Sequence, residues 1–183
     1  MNLASGAAAP AEQPGRETVT SVKALDWRAG GETHLVIDAP PQQIYDVIAD
    51  VTRIGQRSPE CHTATWLGDD TRAVVGARFR GHNRSGRFAR WSRTCEILAA
   101  TPGVEFTFRT VPERDPSRRD STVWSYRLVP GVDGTRVVHS YEVVLMPLLP
   151  LRLLYGLMLP HHRDMRPQMQ QNLDALKGQF TRN

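Results

Sequence analysis

Two side chains in this sequence have the type and spacing to do chemistry, Arg93 and His139. Arg93 lies two residues from Trp91 and two from Cys95, with Ile97 beyond. In an extended strand that alternation puts the guanidinium on the apolar face. A guanidinium taken out of water needs a partner, and the carbonyl, enolate or carboxylate of a bound molecule would serve. There it could stabilise an enolate oxygen as charge develops. The competing reading is a bulge or a snorkelling side chain that returns Arg93 to solvent. His139 shares a two-residue period with Val137, Tyr141 and Val143. An imidazole in that setting suits proton abstraction beside a carbonyl, although a lone histidine on an apolar strand face also reads as hydrogen-bonded core.

Other chemistries find no support. Cys61 and Cys95 stand far apart, without CxxC or Cys/His metal spacing, and read as two free thiols. His161 and His162 are adjacent, so on a helix they should diverge, and no metal site is expected. Glu96 falls on the face opposite Arg93. No Gly-rich phosphate loop, no GxSxG elbow and no Ser/His/Asp set is present, so no cofactor is expected.

What must position Arg93 and His139 is a series of period-two segments closed by a period-four segment. A short strand at Glu32 to Asp38 precedes Pro40-Pro41, which opens a helix carrying Ile44, Val47 and Ile48. A second short helical piece covers Val51 to Arg57, before Pro59. Strands are then expected at Thr63 to Leu67, Val75 to Gly81, Phe88 to Leu98, Val104 to Phe108, around Trp124 to Leu128, and Thr135 to Leu145. Turns fall at Gly68 to Asp70, Asn83 to Gly86, Thr101 to Gly103 and Gly131 to Gly134, and Pro112 to Asp120 reads as an exposed loop. Met165, Met169, Leu173, Leu176 and Phe180 then form one stripe of a long terminal helix. Such a stripe must be buried, and the available partner is the concave face of an antiparallel sheet.

A sheet and helix that close incompletely leave an apolar pocket. Its candidate lining is Phe79, Trp91, Phe106 and Phe108 from the earlier strands and Trp124, Tyr126 and Tyr141 from the later ones. Met165 and Met169 join from the helix, where thioethers adapt to irregular guests. Plain core packing accounts for part of this set.

Composition bounds the rest. The chain has 183 residues, 40% hydrophobic and 23% charged, which suits one domain needing no metal or disulfide to fold. The net charge of +4 is carried almost wholly by arginines scattered along the chain, so no nucleic-acid partner is expected. Residues 1–22 read as a flexible tail without a basic n-region or apolar core, leaving a domain over 23–183 and a cytoplasmic location. The run from Val143 to Leu159 is greasy, but Pro147, Pro150, Arg152 and Gly156 break it, so it does not read as a transmembrane helix. It reads as a packed helical turn, a lid over the pocket, or a patch for peripheral membrane contact helped by His161, His162, Arg163 and Arg166.

Three passages together resemble a known family. They are APPQQIYDVIADVTRIGQRSPE, VGARFRGHNRSGRFARWSRTCEILAATPGVEFTFR and WSYRLVPGVDGTRVVHSYEV. With the final helix they are similar, over roughly 31–180, to the START-like or SRPBCC superfamily, and within it to bacterial polyketide cyclase/dehydrase-type proteins. The resemblance implies an α+β helix-grip fold: a curved antiparallel sheet of about six to seven strands around a C-terminal helix, with two short helices after the first strand. It implies a small hydrophobic, lipid- or polyketide-like ligand held by a monomer or homodimer. The alternatives are a polyketide cyclase, aromatase or dehydratase acting without cofactor, with Arg93 and His139 as its groups, and an interaction or membrane-docking module.

Overall fold

The computed structural model describes residues 26–87 and 89–181. The expected tail at 1–22 and Phe88, the expected start of a strand, lie outside the described residues. Seven strands make one antiparallel sheet in the order β1-β7-β6-β5-β4-β3-β2. They are β1 (Gly30–Ile37), β2 (Cys61–Trp66), β3 (Arg78–Ser85), β4 (Ala89–Thr101), β5 (Glu105–Thr110), β6 (Ser121–Gly131) and β7 (Gly134–Leu145). Helix α1 (Pro41–Ala49) and a 3-10 turn (Val51–Gln56) follow β1, a short 3-10 turn (Pro116–Arg118) precedes β6, and α2 (Leu149–Met158), a third 3-10 turn (Pro160–Arg163) and α3 (Arg166–Gly178) follow β7. This is the helix-grip arrangement.

Local chemistry explains most boundaries. Pro41 at the first position of α1 loses no intrahelical hydrogen bond, and Ile44, Tyr45 and Ile48 give the helix its buried face. The β6–β7 hairpin closes at Gly134, where φ is +116° and an added Cβ would lie 2.3 Å from the Ile37 carbonyl oxygen, so only glycine fits. Register shifts at Cys61/Thr63, Ile97/Ala99 and Ser121/Thr122 are bulges that bend the sheet into its grip. The largest departure from the expected strands is at β3. β3 starts at Arg78 and continues through Asn83 and Arg84 to Ser85, because those polar residues pair with Trp91, Arg90 and Ala89 of β4. The turn is displaced to Gly86, which has φ +59°.

The grip is filled at one end and hollow at the other. α1 and the C-terminal half of α3 pack Ile44, Ile48, Leu173 and Leu176 against Ile37, Phe106, Leu128 and Val137 of the sheet, all buried. α3 has 13 residues and is therefore about 20 Å long, enough to cross the sheet once. Its stripe is buried at Met169, Leu173 and Leu176, whereas Met165 precedes the first turn. No helix among the described residues is long and apolar enough to cross a membrane.

Candidate functional site

Between the upper strands and the N-terminal half of α3 lies a cavity of about 580 Å³, of a size to hold a drug-sized molecule. Phe79, Trp91, Phe108, Trp124 and Tyr126 border it from the sheet, with Met165 and Met169 from the helix side. Phe79 meets Phe108 edge-on at 5.4 Å between ring centres, and Trp124 leans on Tyr141 at 5.8 Å. Two residues expected in the lining are elsewhere. Phe106 is 1% exposed and joins the packed core with Ile44 and Leu173. Tyr141, also buried, is absent from the cavity wall; its ring lies against Gly31, where the Arg166 stem also presses. Trp27, which the sequence did not single out, joins the wall.

Arg93 is on the cavity side of β4, but its partner is not left to a ligand. Its Nη1 donates to both Asp120 carboxylate oxygens, at 2.7 and 2.8 Å, and its Nη2 to the Asp120 carbonyl at 2.6 Å. The two side chains are 12% and 19% exposed. This corrects the expectation of a guanidinium awaiting an enolate. The loop before β6, expected to be wholly solvent-facing, turns Asp120 inward because the buried cation needs a carboxylate. Tyr155 of α2 donates to the Ser117 carbonyl in that loop, at 3.1 Å.

The polar groups facing the cavity from below are His139, Tyr126 and Asn172. His139 stacks on Tyr126 with ring centres 3.9 Å apart and planes 7° off parallel. His139 Nδ1 is 3.1 Å from the Ser125 carbonyl oxygen. A carbonyl can only accept, so Nδ1 carries the proton and Nε2 keeps its lone pair. Burial first, then the nearby Arg57 charge, lower the His139 pKa to about 4 against the opposing Ser125 bond, so the ring is neutral near pH 7. The Tyr126 hydroxyl donates to Asn172 Oδ1 at 3.1 Å, and burial raises its pKa.

Arg57 is a buried charge beside this floor that the sequence did not reveal. It is 4% exposed, donates Nη1 to Val47 O at 3.2 Å and Nη2 to Ile48 O at 2.8 Å, and makes no carboxylate pair among the described residues. Those carbonyls end α1, whose negative dipole end offsets the cation. The result is a buried positive charge behind Tyr126 and His139.

The second polar group sits on the cavity wall. Pro160–Arg163 is a 3-10 turn, so His161 and His162 are not splayed around an α-helix. Instead both Nε2 atoms meet one oxygen, Glu60 Oε1, at 3.1 and 2.7 Å, which corrects the expected divergence. Burial pushes the Glu60 pKa up, but the two histidine hydrogen bonds outweigh it and hold the carboxyl at about 2. Trp91 meets the His162 ring edge-on at 5.7 Å. Cys61 and Cys95 also border the cavity, yet burial raises their pKa values to about 11 and about 12, so neither supplies a thiolate near pH 7.

Above the cavity, α2 contributes Tyr155 and Met158 to the wall. Much of its apolar surface faces outward: Leu149, Leu153, Leu154 and Leu157 are exposed, while Leu151 is half-buried. The stretch from Val143 to Leu159 is thus the end of β7 followed by a helix in which only Gly156 is fully buried, with Leu159 buried just beyond it.

Comparison with known structures places the fold. The chain is similar to protein CV1439 from Chromobacterium violaceum, with a TM-score of 0.61 and 16% identity, over 85% of this chain and 100% of that one. It is similar to Ara h 8.0201, at TM-score 0.60 and 12% identity, covering 84% of this chain and 98% of that chain. It also resembles the di-domain ARO/CYC StfQ from the steffimycin biosynthetic pathway, at TM-score 0.58 and 10% identity, over 82% of this chain and 49% of that one. No curated protein matches it in sequence. A family model described as polyketide cyclase / dehydrase and lipid transport matches residues 28–181, and the chain belongs to that family.

Proposed function

We propose that this protein binds a small, largely apolar molecule bearing a carbonyl or hydroxyl oxygen, held between the sheet and α3. The observation that carries the reading is the cavity of about 580 Å³, walled by aromatic rings and floored by His139, Tyr126 and Asn172. The rings supply apolar contact, and the unprotonated His139 Nε2 accepts a hydrogen bond from a ligand hydroxyl. The Arg57 charge behind the floor favours a ligand oxygen carrying partial negative charge. α2, tethered through Tyr155 to the loop holding Asp120, serves as the lid. The test is solvent extraction of the purified, denatured protein followed by mass spectrometry, with a panel of polycyclic ketones and fatty acids titrated into the emptied protein. A stoichiometric apolar guest, or saturable one-to-one binding, is expected; neither appearing would end the proposal.

A second reading, cyclisation or dehydration of a polyketide-like ligand in the same cavity, is favoured by one observation. His139 is neutral, with a free Nε2 beside an electropositive floor, as a base for enolisation requires. A pKa of about 4 makes it a weak base, so positioning of the substrate would supply much of the rate. Arg93 takes a supporting role here, holding the wall through Asp120. Turnover of a reactive polyketone that persists unchanged in His139→Ala would remove this mechanism.

A further inference from the structure

We infer that Glu60, His161 and His162 form a site for one divalent first-row metal ion, zinc or a close relative, on the cavity wall. The donor set is one carboxylate oxygen and two imidazole nitrogens, all within 4.8 Å of one another. Zinc binds such donors at about 2.0–2.2 Å, which in a tetrahedron separates ligand atoms by about 3.3–3.5 Å. The present separations from Glu60 Oε1 are 3.1 and 2.7 Å, so outward movements of less than about 1 Å admit the ion.

Three features distinguish this cluster from a chance surface contact. The donors come from two chain segments about a hundred residues apart, each fixed locally: Glu60 beside the β2 bulge, and the histidines on a proline-initiated turn. The His161 and His162 rings are 87° apart with centres 4.6 Å from one another, so two adjacent residues are aimed at one point from different directions. Each side chain is between 21% and 27% exposed, shielded from bulk water yet reachable. On binding, each imidazole gives up the Nε2 proton that now faces Glu60 and offers that lone pair to the ion, while Glu60 offers its carboxylate oxygen.

Three protein ligands leave a fourth position open, the arrangement of a reactive site and not of a structural one. All three residues border the cavity, so that position is available to an oxygen of a bound molecule, a step that rests on the proposed ligand reading. There the ion would act as a Lewis acid, polarising a carbonyl. Metal binding itself is independent of any apolar guest and is tested without one.

The test uses the whole protein after dialysis against a chelator. Zinc chloride is titrated by calorimetry, and cobalt(II) is added in parallel to read coordination from its visible spectrum. One equivalent of zinc is expected, with a tetrahedral cobalt spectrum. Affinity should fall by more than about tenfold in Glu60→Gln and in His162→Ala, and stay unchanged in His82→Ala. Circular dichroism checks folding, and His161→Gln substitutes for any variant that fails it. Absence of stoichiometric zinc binding, or equal affinity in the wild type and the ligand variants, would overturn the site and leave a hydrogen-bonded cluster. Because apolar-ligand binding is measured separately, failure here leaves the cavity proposal standing, and the reverse also holds.

Discussion

Replacing Asp120 by alanine strands a cation in the cavity wall. Arg93 is 12% exposed and Asp120 19%, so the pair lies between two limits. Breaking a fully buried pair costs about 3–5 kcal/mol, and a solvent-exposed pair is worth about 0–1 kcal/mol. The bidentate contacts of 2.7 and 2.8 Å favour the upper part of that range, while the surviving 2.6 Å bond to the Asp120 carbonyl favours the lower. The expected loss for Asp120→Ala is about 2–3 kcal/mol. At about 2–4 °C per kcal/mol for a chain of this size, Tm should fall by about 4–12 °C. The double variant Arg93→Met with Asp120→Ala should recover most of the loss, since it removes the charge and its partner together. Urea denaturation of the four members of the double-mutant cycle is the assay, with an expected coupling above about 1 kcal/mol. A loss under about 0.5 kcal/mol in Asp120→Ala, or no coupling, would show that the pair is solvated and does not hold the wall.

Other outcomes follow from the same geometry. His139 has a folded pKa of about 4 against an ordinary 6.5, so between those values the unfolded chain binds more protons. Its contribution is therefore complete above pH 6.5 and is lost as pH falls toward 4, by up to about 3 kcal/mol; denaturation curves at pH 7.5 and 4.5 should show that slope in the wild type and much less of it in His139→Phe. Leu173→Ala empties the packed end of the grip and should cost about 3–5 kcal/mol, whereas Met169→Ala, at the hollow end, should cost less; equal losses on thermal denaturation would mean both ends are packed alike. Leu157→Glu alters an exposed α2 residue and should change stability by less than about 0.5 kcal/mol. Co-sedimentation of both proteins with anionic vesicles then asks whether that surface meets a bilayer, and binding lost in Leu157→Glu would add membrane docking to the role of a lid.

Period-two and period-four patterns carry much of the fold, because burial on one face imposes them on any strand or helix. The stripe at Met169, Leu173 and Leu176 and the face holding Phe79 and Gly81 were legible for that reason. The end of β3 was not, since the pairing of Asn83 to Ser85 with β4 depends on a neighbouring strand and not on hydrophobicity. Site residues divide along the same line. His139 and Trp91 lie on alternating faces and could be read, but Asp120, Arg57 and Glu60 acquire their roles from partners distant in sequence. Arg93 meets Asp120 27 positions away, and Glu60 meets the two histidines across 101 and 102 positions. The histidine pair was visible, but its direction depended on a 3-10 turn that adjacency alone does not specify. Phe106 and Tyr141 share the strand periodicity of the cavity residues; α1 and the start of α3 decide which part of that face is covered.

The central claim is that the upper end of the grip is hollow and takes a guest. Isothermal titration of a polycyclic aromatic ketone into the wild type and into Met169→Trp, which projects a larger ring into the cavity, tests it directly. One-to-one binding with a negative heat-capacity change is predicted for the wild type, with at least a tenfold loss in a Met169→Trp protein that retains its fold. Binding equally tight in both proteins, or no binding to either, would contradict the account.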